Sequence, residues 1–202
     1  MTDPTPADPT PAPEVPWSAP AASAPAVATT PAMVYADVPN RIIAYIIDII
    51  VIAVISIAVG AVLAIVGISV VSGSGTGATT NWIGSLILTA FGLAISGAYF
   101  VYSWSNQRAT IGMKVLGLQI GDAPGGATIT TNQAIKRWLA LGAAFSIAQA
   151  LTPLPGVGVL ISFAALGWVI FLLYTTWKSP TKQGWHDVFA NTMIVKATKA
   201  AA

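Results

Sequence analysis

Residues 41–71 form a run dominated by Ile, Val, Ala and Leu, with Arg41 at its head, Asp48 two helical turns later and no other charge. At about 1.5 Å per residue, a helix of this length exceeds the roughly 20 residues that cross a bilayer, and no water-soluble core needs one. The chain is therefore read as an integral membrane protein. Composition agrees: charged residues make up 8% and the mean hydropathy is +0.74, whereas ordinary globular chains carry roughly 25% charge.

The net charge of +2 and the pI near 9 come from nine Lys and Arg scattered among apolar runs. They form no basic face of the kind a duplex requires, so nucleic acid is not an expected partner. The absence of Cys excludes disulfides, thiol nucleophiles and thiolate metal sites.

Residues 1–38 hold nine prolines among Ala, Thr and Ser, with Asp3, Asp8, Glu14 and Asp37 but no Lys or Arg. Too little apolar surface is available there to offset ordering, so a disordered, partly polyproline II tail is expected. It offers a segment that a proline-reading protein partner could take, although a solvated tail is the simpler expectation. No basic region followed by a short apolar stretch marks a signal peptide.

Pro39 and Asn40 are read as the opening of the first helix, with Asn40 as its N-cap. Four spans are expected, over residues 42–71, 82–104, 134–152 and 157–177, within a transmembrane domain covering 39–198. The first ends in a flexible Ser/Gly turn. The second has Trp82 and Trp104 at its ends, as membrane interfaces favour, and small residues such as Gly92 and Gly97 that let helices approach closely. The polar connection from Asn106 to Thr131 predicts a small β-hairpin: a strand over 115–120, a turn at 122–126 and a return strand over 127–130. Thr130 and Gln133 then form a capping-box pattern for the next helix. Lys136 and Arg137 are read as snorkelling from that helix to the interface, and the apolar patch over 188–195 as interfacial.

In this arrangement all nine cations fall on one side, and the connections over 72–81 and 153–156 carry none. The positive-inside rule places both termini and the hairpin in the cytoplasm of a multi-pass protein of the cell (inner) membrane. The fold class predicted is thus an all-α, four-helix membrane bundle with a small hairpin between helices 2 and 3 and a disordered tail.

Asp48 is the sharpest candidate. A carboxylate at mid-bilayer costs about 2.5–3.5 kcal/mol on insertion scales, so one retained there ordinarily meets a partner, a cavity or an ion. If residues 49–71 alone span, Asp48 instead sits at the cytoplasmic edge. Arg41, Ala44, Tyr45 and Asp48 share one helical face, with Arg41 about 10 Å from Asp48 along the axis, too far for a direct bond. Arg41 is expected to reach lipid phosphate or another acid, for which Asp187 is available. His186, the single histidine, is more readily structural than a metal ligand. No phosphate-binding loop, nucleotide fingerprint, metal-spaced cluster or nucleophile elbow occurs, so neither enzymatic activity nor a cofactor is expected.

Arg41-x6-Asp48, the stretch Thr110-Ile111-Gly112-Met113-Lys114-Val115-Leu116-Gly117-Leu118-Gln119-Ile120, Lys136-Arg137, and Gly184-Trp185-His186-Asp187 with Thr192 together resemble the RDD family of membrane proteins, named for one arginine and two aspartates. The likeness covers about residues 36–196. It maps the family's Arg to Arg41, its first Asp to Asp48 and its second to Asp187. Many relatives carry a basic residue where this chain has Met113, and often an Arg where Gln119 stands. The resemblance implies transport of ions or other ligands. The function expected is transport of an ion or small solute, with Asp48 as the site, Arg41 and Asp187 shaping its mouth, and Tyr45 and His186 in support. Four helices enclose little space, so a homo-oligomer is expected in the lipid bilayer. A membrane scaffold that recruits partners through its tail is the alternative.

Overall fold

The computed structural model describes residues 33–123, 125–143 and 157–197. The proline-rich tail and the second half of the expected third span fall outside these residues.

Helix α1 (Val38–Ile65) starts from Asp37, whose extended backbone is the N-cap, and Pro39 occupies its first turn, where a missing N–H costs nothing. Asn40 is thus not the cap. It lies inside the first turn and donates to Asp37 Oδ1 at 2.6 Å. The helix stops short of Val71 because Gly67 turns left-handed, at φ +86°. The Gly67 N–H then bonds Ala64 O and the Ile68 N–H bonds Leu63 O, a Schellman closure that satisfies the last carbonyls. The Ser/Gly turn expected to be flexible contains a two-residue ribbon, β1 (Val71–Ser72) against β2 (Thr79–Thr80).

Helix α2 (Trp82–Gln107) is capped by Asn81, whose side chain accepts from Gly84 N at 3.0 Å. Gly84 is obligatory at this corner, since a Cβ would meet the Ser69 carbonyl oxygen at 1.8 Å. The chain leaves α2 through Arg108 in the left-handed region.

The local hairpin expected between α2 and the next helix does not form. Residues Ile111–Val115 are a short helix, α3, capped by Thr110 Oγ1, which accepts from Met113 N at 3.2 Å. The strand survives as β3 (Leu118–Asp122), but its partner is β4 (Thr192–Lys196), near the other end of the chain. Leu118 pairs with Lys196 and Asp122 with Thr192. Residues 127–130 form no strand. The distant pairing buries Met193, Ile194 and Val195 against the sheet, which the local return segment has no comparable apolar run to match. Residues 34–36 add to the other edge of β4, through Ala36 N to Ile194 O (3.0 Å) and Lys196 N to Val34 O (2.8 Å).

Helix α4 (Thr131–Trp138) begins with the capping box, Gln133 N on Thr130 Oγ1 and Thr130 N on Gln133 Oε1, and widens into a π-helical turn at Leu139–Ala143. Helix α5 (Val157–Lys178) follows, then α6 (Trp185–Phe189). The apolar patch over 188–195 is therefore divided rather than uniformly interfacial. Val188 and Phe189 are exposed on α6, whereas Met193–Val195 are buried in β4.

Among the described residues, three helices are long and apolar enough to cross a membrane: α1, α2 and Gly158–Lys178 of α5. Only 6–11% of their most apolar windows is buried within the chain, so most of their apolar surface is left uncovered by the described residues. The protein's own core lies elsewhere. It gathers Ala44, Phe100, Trp104, Met113, Leu118, Ile120, Ala134 and Ile194 where α1 begins, α2 ends and the small sheet docks.

Candidate functional site

Two buried acids, the buried Arg137 and the partly buried Arg41 stand at this end of the bundle. Asp48 is 2% exposed and sits ten residues into α1, about 15 Å from the helix start. Its Oδ1 accepts from Tyr99 Oη at 2.6 Å and from the Gly112 N–H at 2.8 Å, and its Oδ2 from Thr110 Oγ1 at 2.6 Å. Tyr99 Oη in turn accepts from the Ile111 N–H at 3.1 Å. Among the described residues, every direct partner of this carboxylate is neutral. The close approach depends on Gly112, because a Cβ there would lie 2.0 Å from the Ala44 carbonyl oxygen. One carboxylate thus fastens α1 to α2 and α3.

Asp187 is fully buried on α6 and is matched by charge. Arg41 Nη1 reaches its Oδ2 at 2.7 Å, Arg137 Nη1 pairs with its Oδ1, and the Gly184 N–H donates to Oδ2 at 3.0 Å. Two further Arg41 donors go to backbone, Nε to Ala36 O at 3.1 Å and Nη2 to Ile194 O at 3.3 Å. Arg137 Nη1 also donates to Thr192 Oγ1 at 2.9 Å, and its guanidinium lies over the Trp104 ring at 5.2 Å. Arg137 is therefore not a snorkelling residue: at 2% exposure it is buried, and Lys136 beside it is the one that faces outward. A guanidinium matched by a carboxylate, a hydroxyl and an aromatic face has no need of the interface.

His186 is buried beside this cluster, its Nε2 3.6 Å from Asp187 Oδ1. Burial, reinforced by Arg137 and then Arg41, holds its pKa well below the usual imidazole value, so the ring is neutral. Tyr45 does not bond Asp48; it stacks on Phe100 with ring centroids 5.8 Å apart. No ion pair joins Asp48 to Arg41 or Arg137 among the described residues.

Asp48, but not Asp187, borders a cavity of about 770 Å³, lined mainly by α1, α2 and α5, with Arg137 of α4 and His186 of α6 also in its wall. Most of that lining is apolar, including Ile49, Ile52, Ala53, Leu141 and Val169; its polar members include Arg41, Asp48, Ser56, Ser96, Arg137, Thr176 and His186. No group of three His, Cys, Asp or Glu side chains is placed to hold a metal ion among the described residues.

The structure brings together Arg41, Asp187 and His186, and keeps Asp48 in a separate neutral setting. Sequence reasoning missed Tyr99, Thr110 and Gly112 as partners of Asp48, and Arg137 as the second partner of Asp187. The Thr-x-Gly spacing was the available signal: a cap hydroxyl followed by a residue without Cβ marks a short helix pressed against another chain segment.

Apolar membrane-length helices closed at one end by a buried Arg–Asp network define a polytopic membrane protein. A model of the RDD family matches residues 35–191, and the chain belongs to that family. No curated protein and no solved structure matches it.

Proposed function

We propose that the protein transports an ion or small solute through the cavity between its helices, with Asp48 as the group that takes a cation or proton. The observation supporting this is that Asp48, a buried acid on the cavity wall, is compensated among the described residues by two hydroxyls and one amide. Hydroxyls can turn their lone pairs toward an arriving cation, which a guanidinium cannot do. Arg41 and Asp187 fix the mouth of the cavity. The one-sided distribution of the nine cations in the sequence supports a cytoplasmic mouth, with both termini on that side. The test is proton and sodium flux in vesicles carrying Asp48→Asn, with the amount of folded protein matched by detergent-extracted melting curves. Loss of flux is expected; undiminished flux removes Asp48 from the mechanism.

The three bonds to Asp48 also favour a second reading, a scaffold in which the acid only fastens helices and the tail over 1–38 recruits a partner. Deleting residues 1–38 distinguishes the two, since flux survives the deletion if the first reading is right.

A further inference from the structure

The last turns of α5 carry rings and charge in a fixed order. Phe171, Tyr174 and Lys178 fall at i, i+3 and i+7, one face of the helix, and with Trp177 they are exposed. Rings continue from this face onto α6: Trp185 lies 6.3 Å from Phe171 and stacks on Phe189 at 5.2 Å, and both α6 rings are exposed. Above them, Lys178 Nζ sits 5.9 Å from the Tyr174 ring and 5.4 Å from the Trp177 ring. The turn that follows brings a second lysine to the same place. It is closed by the Lys182 N–H on Ser179 O at 3.0 Å, with Pro180 at the position where its fixed φ suits a turn, and Lys182 Nζ reaches back to Trp177 O at 3.4 Å. Among the described residues every ion pair runs to Asp187, so neither lysine has a carboxylate partner.

From Phe171 to Lys178 the helix rises about 10 Å, more than the roughly 5–8 Å of headgroup on each side of a hydrocarbon core. Rings that begin in the acyl boundary therefore end at the level of lipid phosphate. We propose that Lys178 and Lys182, gathered on Trp177, form a site for the headgroup of an anionic phospholipid, its phosphate accepting from both ammoniums and an acyl chain lying on Tyr174 and Phe171. Two cations with no acid beside them favour a headgroup that brings no cation of its own, whereas the choline of phosphatidylcholine meets like charge. A soluble phosphate has no chain to lay on the rings, so the occupant is a lipid. None of these residues borders the cavity beside Asp48, and the proposal is independent of the transport reading.

The test titrates the full chain in detergent micelles with phosphatidylglycerol and with phosphatidylcholine of the same acyl chains, counting bound lipid by native mass spectrometry. A preference for phosphatidylglycerol on the order of thirtyfold is expected, about fivefold for each lysine, the scale of one cation beside an anionic membrane surface. Lys178→Gln and Lys182→Gln are each expected to weaken phosphatidylglycerol by about fivefold and to leave phosphatidylcholine unchanged. Trp177→Leu keeps apolar bulk and removes the ring beneath Lys178, with an expected loss of about threefold, as for an exposed cation on an aromatic face. Lys136→Gln removes an exposed lysine of α4 and serves as the control for net charge, with no change expected. All four positions are exposed or half-buried, and melting curves check that each variant is folded. Equal binding of the two lipids, a wild-type preference in the double variant Lys178→Gln/Lys182→Gln, a loss in Lys136→Gln as large as in Lys178→Gln, or displacement of phosphatidylglycerol by an equal concentration of glycerol phosphate would overturn the proposal.

Discussion

Asp48 and Asp187 are both almost inaccessible, yet they are neutralised by opposite means. Asp187 lies between two guanidiniums and a backbone amide; among the described residues, Asp48 meets two hydroxyls and an amide. A buried ion pair is fixed in its charge state, because removing either member strands the other in a medium that does not solvate it. Hydroxyl donors carry no charge of their own, so if they turn away only the carboxylate is left unsolvated. Asp187 therefore joins α1, α4, α6 and β4 through charge, whereas Asp48 joins α1 to α2 and α3 through neutral donors.

The largest test of this contrast is Asp187→Asn. It leaves Arg41 and Arg137 buried without their counter-charge, and a loss of about 3–5 kcal/mol is expected, the scale found when one member of a buried pair is removed. Melting of the purified protein in detergent reads it, with Asp48→Asn measured alongside. The Asp48 change keeps two of three acceptor contacts within reach of an amide oxygen, so its loss is expected to be smaller, about 1.5–3 kcal/mol. Equal losses for the two variants would end the distinction between an acid held by charge and one held by neutral donors.

How much of this was legible beforehand follows the range of the interactions. The apolar helices announce themselves through length, and the Thr130–Gln133 capping box through spacing, because both are written in neighbouring residues. The family resemblance placed Arg41, Asp48 and Asp187 at their positions in the chain. What could not be read was pairing across it. Residues 115–120 look like one arm of a hairpin, and nothing nearby says that the other arm lies at Thr192–Lys196. Arg137 follows Lys136 in an interfacial pair, and only the fold shows Asp187, Thr192 and Trp104 converging on it. The same limit hid Tyr99, which reaches Asp48 from a face of α2 whose small residues suggested helix packing alone.

The smallest effect expected is on the acid side of neutrality and belongs to the Asp187 cluster. His186 is neutral in the folded protein, its pKa pushed well below the ordinary value by burial and then by Arg137 and Arg41. Asp187 Oδ1, 3.6 Å from its Nε2, does not reverse this, because the carboxylate is already shared by the two arginines. In the unfolded chain the ring titrates near 6.5. Below that pH the unfolded state binds a proton that the folded state refuses, so stability falls as pH is lowered through about 6.5, by at most about 1.4 kcal/mol per unit for this one group, and is unaffected above it. Melting temperatures between pH 7.5 and 5.5 are expected to decline for the wild-type chain and to decline less for His186→Gln, which cannot take the proton. His186 is the single histidine of the chain, so no imidazole sits beside Asp48. An identical slope in His186→Gln would mean that the ring is not excluded from protonation by the cluster, and the account of Asp187 as an acid held by charge would lose its nearest witness.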